Sequence, residues 1–343
     1  MMELKYIEKL LAGIGRNVTN LRIYKSANLR VLIGLSVLSI TLSGCQKDVK
    51  IDIPGYVELL VIDGYIETGQ PPLVLLSTSK DIYAPTDLNS FLEGYVSGAI
   101  VTVSDGTNTV QLDEICTDNL PPGTEELAAQ IFGVPVSDVG NYHLCAYTTF
   151  NPVMFGQVGK IYTLTVTYED KTYTALTKIG QPTAFDSVYW KPAEGYPEYG
   201  YSYVTLTDPA ATYDAYMWEV KRINNKADGT DMDDLFMKTY APVFDDEFFN
   251  GMTFDFWYEN PMSFGDEVEE PYRGYYKLGD TVVIKFSKMD RDVYEFYEKK
   301  YVQLSSGGSP FASPSNIPSN IKGGALGVWA GFSTHFDTLV CVP

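Results

Sequence analysis

The stretch "GKIYTLTVTYEDKTYTALTKI", residues 159–179, is compatible with few structures. Tyr162, Leu164, Val166 and Tyr168 alternate with threonines and share one face of an extended chain. After Glu169-Asp170-Lys171 the alternation resumes at Tyr173, Ala175 and Thr177. A period of two, carried by β-branched and aromatic residues, predicts an antiparallel hairpin with one buried face.

The same pattern recurs upstream. "VELLVIDGYI" (57–66) and "PLVLLSTS" (72–79) flank a Gly-Gln-Pro-Pro turn and read as a strand pair. Ala99–Ser104 alternates before Asp105-Gly106, a turn dipeptide that supplies positive φ. Pro121–Gln130 has room for a helical turn. Six or seven short strands between 57 and 179 predict an immunoglobulin-like or transthyretin-like sandwich over 56–180. "GQPTAF" (180–185) breaks the pattern and marks the boundary of a second β-rich domain, 181–343, whose strands include "SYVTLTD", "AYMWEVKRI" and "DTVVIKFSKMD". One helix is expected between Asp290 and Leu304, where Val293, Phe296, Tyr297, Tyr301 and Leu304 recur at helical spacing and Asp290 or Asp292 suits the amino-terminal dipole.

The amino-terminal segment has a different logic. The apolar run Val31–Leu42 is well short of the ~20 residues a spanning helix needs. Lys25 and Arg30 precede it, and the small residues Ser43 and Gly44 separate it from Cys45, the layout of a secretory signal. Leu42-Ser43-Gly44-Cys45 resembles the bacterial lipobox, which implies cleavage before Cys45 and acylation of that residue. Several acyl chains anchor a protein durably, at about 0.8 kcal/mol per buried methylene. Residues 1–44 are thus expected to be a signal peptide with a start-site extension, and 45–55 a lipidated tether. "QKDVK" after Cys45 resembles a surface-export tag as much as it reads as a plain solvated tether.

Removing residues 1–44, with six basic and two acidic side chains, takes the formal charge from −19 to −23. So acidic a chain disfavours nucleic acid and anionic lipid surfaces, and suits solubility, cations or a basic protein partner. Of the remaining cysteines, Cys116 pairs with Cys145, or these two and Cys341 stay separate buried thiols; their spacing leaves both open.

Carboxylates concentrate between Asp228 and Glu270. Hard cations take several oxygen ligands, so Asp231, Asp233, Asp245, Asp246 and Glu247 are the candidate metal ligands, although the EF-hand pattern is absent and acidic loops are commonly just solvated. Interleaved aromatics make Phe248, Phe249, Trp257 and Tyr258 candidates for partner or ligand contact, with a domain core as the alternative use. His143 and His335 have no nucleophile elbow or zinc motif around them, and "SSGGSPF" lacks the lysine of a phosphate loop. No catalytic residue and no cofactor is expected.

Several segments together resemble the Bacteroidetes lipoprotein family known as domain of unknown function 4249: "LLVIDGYIETGQPPLVLLS", "VSGAIVTVSDG", the 159–179 hairpin, "FDSV" at 185–188 and "SPFASPSNIPSNIKGGALGVWAGFS" near the end. The resemblance spans residues 50–334, and its opening and closing segments are the most specific. It implies an outer-membrane lipoprotein accessory to a TonB-dependent receptor, and it assigns no catalytic residues. In the closing segment, Pro310, Pro314 and Pro318 favour an extended path, Asn316 and Asn320 can bond nearby backbone, and Gly323-Gly324 permit a tight turn.

The leading expectation is therefore a lipid-anchored, non-enzymatic outer-membrane protein, exposed at the cell surface if the tag acts, that partners a TonB-dependent receptor. A stand-alone adhesion or ligand-binding module is the alternative. A carboxylate-based hydrolase comes third, and needs two inward-facing carboxylates in one aromatic cleft.

Overall fold

In the computed structural model, residues 56–80, 92, 94–132, 134, 136–227, 229–264, 268–306 and 316–342 are described. Cys45, the signal and tether segments, Asp228, Pro310 and Pro314 lie outside them. Residues 56–343 make up one compact unit.

In chain order the strands are β1 (Leu60–Glu67), β2 (Leu73–Thr78), β3 (Ile100–Ser104), β4 (Thr109–Gln111), β5 (Asp113–Cys116), β6 (Cys145–Thr148), β7 (Ile161–Tyr168) and β8 (Lys171–Lys178). There follow β9 (Ser187–Ala193), β10 (Tyr196–Thr207), β11 (Ala215–Arg222), β12 (Met237–Asp245), β13 (Thr253–Tyr258), β14 (Tyr276–Lys277), β15 (Thr281–Met289) and β16 (Leu326–Val340). Helix α1 (Glu125–Phe132) lies between β5 and β6, and α2 (Arg291–Ser306) between β15 and β16. The expected mainly β class is what the chain adopts.

An eight-stranded sheet in the order β12-β11-β15-β16-β1-β2-β6-β5 organises the molecule. Its centre is a parallel pairing of β1 with β16, Val61 opposite Leu326 through Glu67 opposite Phe332. The opening and closing sequence segments therefore lie side by side. Gly327 is indispensable there: its φ is +107°, and a Cβ would sit 2.0 Å from the Ile62 carbonyl oxygen. Asn320 holds the same segment by accepting from the Trp329 amide and donating to its carbonyl, both at 2.9 Å.

Each face of this sheet is covered. Against one face, a four-stranded sheet (β4-β3-β7-β8) closes a core of Leu60, Ile62, Ile66, Val74 and Leu76 on Val101, Tyr162, Leu164, Val166 and Ala175. The indole of Trp329 ties the two layers by donating to the Tyr162 carbonyl at 3.1 Å. A second four-stranded sheet, β13-β10-β14 with β9 on β10, closes a core around Tyr216, Trp218, Val220, Ile284 and Phe286. The other face carries the helices. Val293, Phe296 and Tyr297 of α2 pack on Met217, Val328, Ala330 and Phe332, and Ala128, Ala129 and Phe132 of α1 pack beside Leu73, Leu75 and Ala146.

The 159–179 hairpin forms as its alternation predicts, Tyr168 opposite Lys171, with Glu169 and Asp170 both at positive φ in the turn. Asp290 caps α2 by accepting from the Val293 amide at 3.1 Å. The apolar stripe of that helix ends earlier than expected, because Leu304 is exposed. Cys116 and Cys145 stand opposite each other on β5 and β6 and are disulfide-bonded, leaving Cys341 as a buried free thiol. The eight-stranded sheet takes strands from both sides of the 180/181 boundary, whereas the core around Trp218 comes wholly from residues after it. No described helix is long and apolar enough to cross a membrane.

Candidate functional site

The most unusual surface is the outer face of the β9-β10-β13-β14 sheet. In β10 the inward positions are Ser202, Val204 and Leu206, so Tyr199, Tyr201, Tyr203 and Thr205 turn outward. Outward residues of neighbouring strands join them. Tyr189 stacks on Tyr203 at 5.6 Å between centroids, and Lys191 Nζ sits 4.8 and 4.7 Å from those two rings. Trp257 rests on Tyr201 at 4.0 Å, Tyr275 meets Tyr201 at 4.7 Å, and Tyr272 stacks on Tyr199 at 4.4 Å. Burial pushes the Tyr201 phenol up to about 12, with Tyr275 and Glu259 adding to the effect. The opposite end of the face is polar: Asp255 accepts from Thr205 Oγ1 at 2.7 Å and from Tyr189 Oη at 2.9 Å. Those two hydrogen bonds hold its carboxyl below the ordinary range.

Rings fixed by one another lose little side-chain freedom when a partner covers them, which is why Tyr and Trp dominate recognition surfaces.

Of the expected contact residues, Trp257 is 46% exposed and Phe248 87% exposed. Phe249 and Tyr258 face the other way, packed against the core around Trp218. Strand alternation is the cause for Tyr258, since Phe254, Phe256 and Tyr258 share the inner side of β13. The tyrosines of β9 and β10 lie outside the expected set, although Tyr199, Tyr201 and Tyr203 recur at a period of two, opposite in parity to Val204 and Leu206.

The five candidate metal ligands are not brought together. Asp231 pairs with Lys221 at 2.8 Å, and Asp233 takes a two-pronged contact from Arg222, Nε at 2.9 Å and Nη2 at 2.7 Å. Both lie at the Arg222 end of β11. Asp245 and Asp246 adjoin the Ala215 end, roughly 23 Å away at the usual strand rise. Glu247 is exposed. Only Asp246 enters a compact cluster, with Asp208 and Asp214, residues outside the acidic run: the three carboxylates lie within 4.8 Å of one another and are buried. Lys288 reaches Asp214 at 2.5 Å, Tyr216 Oη donates to Asp208 at 2.7 Å, and the Asp214 amide donates to Asp246 at 3.0 Å. Burial, and then the charges of Asp208, Asp214 and Asp245, raise the carboxyl of Asp246. The oxygen set is of the kind hard cations take, but the protein's own donors already engage each carboxylate.

A cleft of about 260 Å³ opens between α2 and the eight-stranded sheet. Glu67 and Glu219 both meet Lys285 in it, at 2.8 and 3.4 Å, between Tyr65, Phe236, Tyr297 and Phe332. Two inward carboxylates in an aromatic cleft are the geometric half of what glycoside hydrolysis needs. The other half is a carboxylic acid kept protonated near neutrality. Burial alone would raise Glu219, but Lys285 and Lys238 outweigh it and hold the carboxyl below its ordinary value, the wrong direction for a general acid. The histidines add no nucleophile: His143 meets Asp118 at 3.2 Å, and His335 lies beside Phe185 and Asp337.

A family described as a domain of unknown function, DUF4249, matches residues 46–335, and the chain belongs to that family. No curated protein and no solved structure matches the chain.

Proposed function

We propose that this DUF4249 member is a lipid-anchored outer-membrane protein of the Bacteroidetes type, held by Cys45, that docks on a TonB-dependent receptor and assists uptake of a nutrient or metal complex. The observation that carries the docking role is the outward aromatic face, where Trp257 and Tyr275 both pack against Tyr201 on a sheet whose other side is already packed. Tyr and Trp held in this way are the commonest anchors of protein interfaces. The acidity of the chain suits a partner with a basic contact surface. Lys191, lying over Tyr189 and Tyr203, illustrates how such rings receive a cation.

The test is purification of the lipidated chain from native outer membranes after mild crosslinking, with mass spectrometry of what accompanies it. Recovery of a TonB-dependent receptor as the dominant partner is the expected result. Recovery of the chain alone favours the stand-alone ligand-binding or adhesion module, for which the cleft beneath α2 is the best argument.

A further inference from the structure

The cleft beneath α2 belongs to a different sheet from the aromatic face, and its chemistry is different. Lys238 of β12, Glu219 of β11, Lys285 of β15 and Glu67 of β1 form a row of alternating charge. Register places Glu219 directly opposite both Lys238 and Lys285, and Lys285 reaches Glu67 across β16. Lys238 Nζ reaches Glu219 Oε1 at 3.1 Å, and Lys285 Nζ reaches Oε2 of both Glu219 and Glu67, at 3.4 and 2.8 Å. Glu67 and Glu219 are only 6% and 8% exposed.

Well-packed apolar side chains at such positions stabilise a core at least as well, because drawing ions out of water costs as much as their pairing returns. Here the charges line an open space instead of filling it.

The ends of the row show what would enter. Glu219 uses both carboxylate oxygens and Lys285 is shared between two partners, so the middle is internally satisfied. Glu67 engages through Oε2 alone, and Lys238 through one contact while 42% of its side chain is exposed. One end thus retains acceptor capacity with negative charge, and the other donor capacity with positive charge. The row itself is neutral, two carboxylates against two ammonium groups. A ligand with net charge would leave that charge uncompensated in a half-buried cleft, whereas a ligand with one positive and one negative end meets both termini. The volume, about 260 Å³, falls just below the ~300 to ~1,000 Å³ of drug-sized sites. Phe236, Phe332 and Tyr297 supply an apolar wall.

Lys285 and Glu219 lie between those termini, so the two charges of such a ligand sit several carbons apart. We propose that this cleft binds a small zwitterion of the ω-amino-acid class, its ammonium on Glu67, its carboxylate on Lys238 and its methylene chain against the aromatic wall. The site stands independently of the receptor: failure to recover a receptor leaves it untouched, and failure of the site leaves the docking face untouched.

Isothermal titration of the full lipidated chain in mild detergent tests it, with γ-aminobutyrate, N-acetyl-γ-aminobutyrate, γ-aminobutyramide and glucose as the probes. γ-Aminobutyrate should bind saturably, and each blocked derivative about tenfold more weakly or worse, since each lacks one charge-assisted contact. Lys238→Met should weaken γ-aminobutyrate by about tenfold and leave γ-aminobutyramide unchanged, because the amide has no carboxylate to lose. Glu67→Gln should weaken γ-aminobutyrate and spare its N-acetyl form. Lys238 is exposed enough for its variant to keep the fold, which a thermal melt checks independently. Equal binding of γ-aminobutyrate and both blocked forms, binding of glucose alone, or no heat from any probe at millimolar concentration would overturn the assignment.

Discussion

Trp257 lies against Tyr201, ring centroids 4.0 Å apart, on the solvent side of a sheet whose inner side is closed by Phe254, Phe256 and Tyr258. The two are diagonal neighbours, since Trp257 is directly opposite Tyr203 in the β10–β13 register. A contact of this kind adds about 0.5 to 1.5 kcal/mol to stability beyond area burial. Trp257→Ala is therefore expected to lower stability by about 1 kcal/mol, read by thermal melt, while receptor recovery after crosslinking falls tenfold or more, as for a central interface anchor. Unchanged recovery would place the contact elsewhere.

The parallel joint between β1 and β16 gives a second test. Gly327→Ala puts a methyl group 2.0 Å from a carbonyl oxygen at a φ of +107°, so both the contact and the backbone oppose it. A loss of about 4 kcal/mol or more is expected, seen as a chain that fails to accumulate or melts far earlier. Gly324→Ala, also at positive φ but with nothing within 4 Å of the added Cβ, should cost markedly less.

The charged row has a defined pH window. Glu219 has a folded value below its ordinary 4.5, so its stabilisation is present above 4.5 and is lost as pH falls through the folded value. For Lys285, burial lowers the ammonium but the Glu219 and Glu67 charges outweigh it and raise the group above 10.5. Its stabilisation is thus present below 10.5 and is lost as pH rises through the folded value. Glu219→Gln should melt well below the wild type anywhere between about 4.5 and 10.5, and the gap should close in acid. A gap that does not change with pH would mean Glu219 acts by packing alone.

Asp246 has the opposite sign. Its raised carboxyl means that the folded chain favours the protonated form, so stability drops as pH rises from 3.8 through the folded value. Asp246→Asn, which keeps an oxygen for the Asp214 amide, is expected to melt higher than the wild type at pH 7 and equal to it below 3.8. A lower melting point at pH 7 would show that the three-carboxylate cluster depends on its full charge.

Cys341 is fully buried, and burial, followed by the Asp280 charge, pushes its thiol up to about 12. A thiol reagent at pH 8 should not distinguish native wild type from Cys341→Ser, whereas denaturant should release one extra reactive thiol in the wild type. A fast native difference would contradict the packing around it.

What could be read in the chain was local. The Tyr162–Thr177 hairpin followed from alternation and turn residues alone, and so did the helix that begins after Asp290. The pairing of β1 with β16 did not, because nothing in either segment's periodicity names a partner some 260 positions away. Cysteine spacing could not choose a partner for Cys116, since that depends on β5 lying beside β6. Asp231 and Asp245 are near in sequence, yet an intervening strand carries them to opposite ends of β11. Asp208 and Asp214, which do meet Asp246, sit outside the acidic run. The aromatic face is half legible: composition points to the region, but parity on β13 turns Tyr258 inward, and the tyrosines of β10 carry the stronger pattern.

The docking claim is tested most directly by placing a photo-crosslinking amino acid at position 257 in cells that make the full lipidated chain, with position 176 as the control. Leu176 is 55% exposed on a different sheet. An adduct with a TonB-dependent receptor is expected from position 257 and none from 176. Adducts of equal yield from both positions, or a position-257 adduct containing no such receptor, would contradict it.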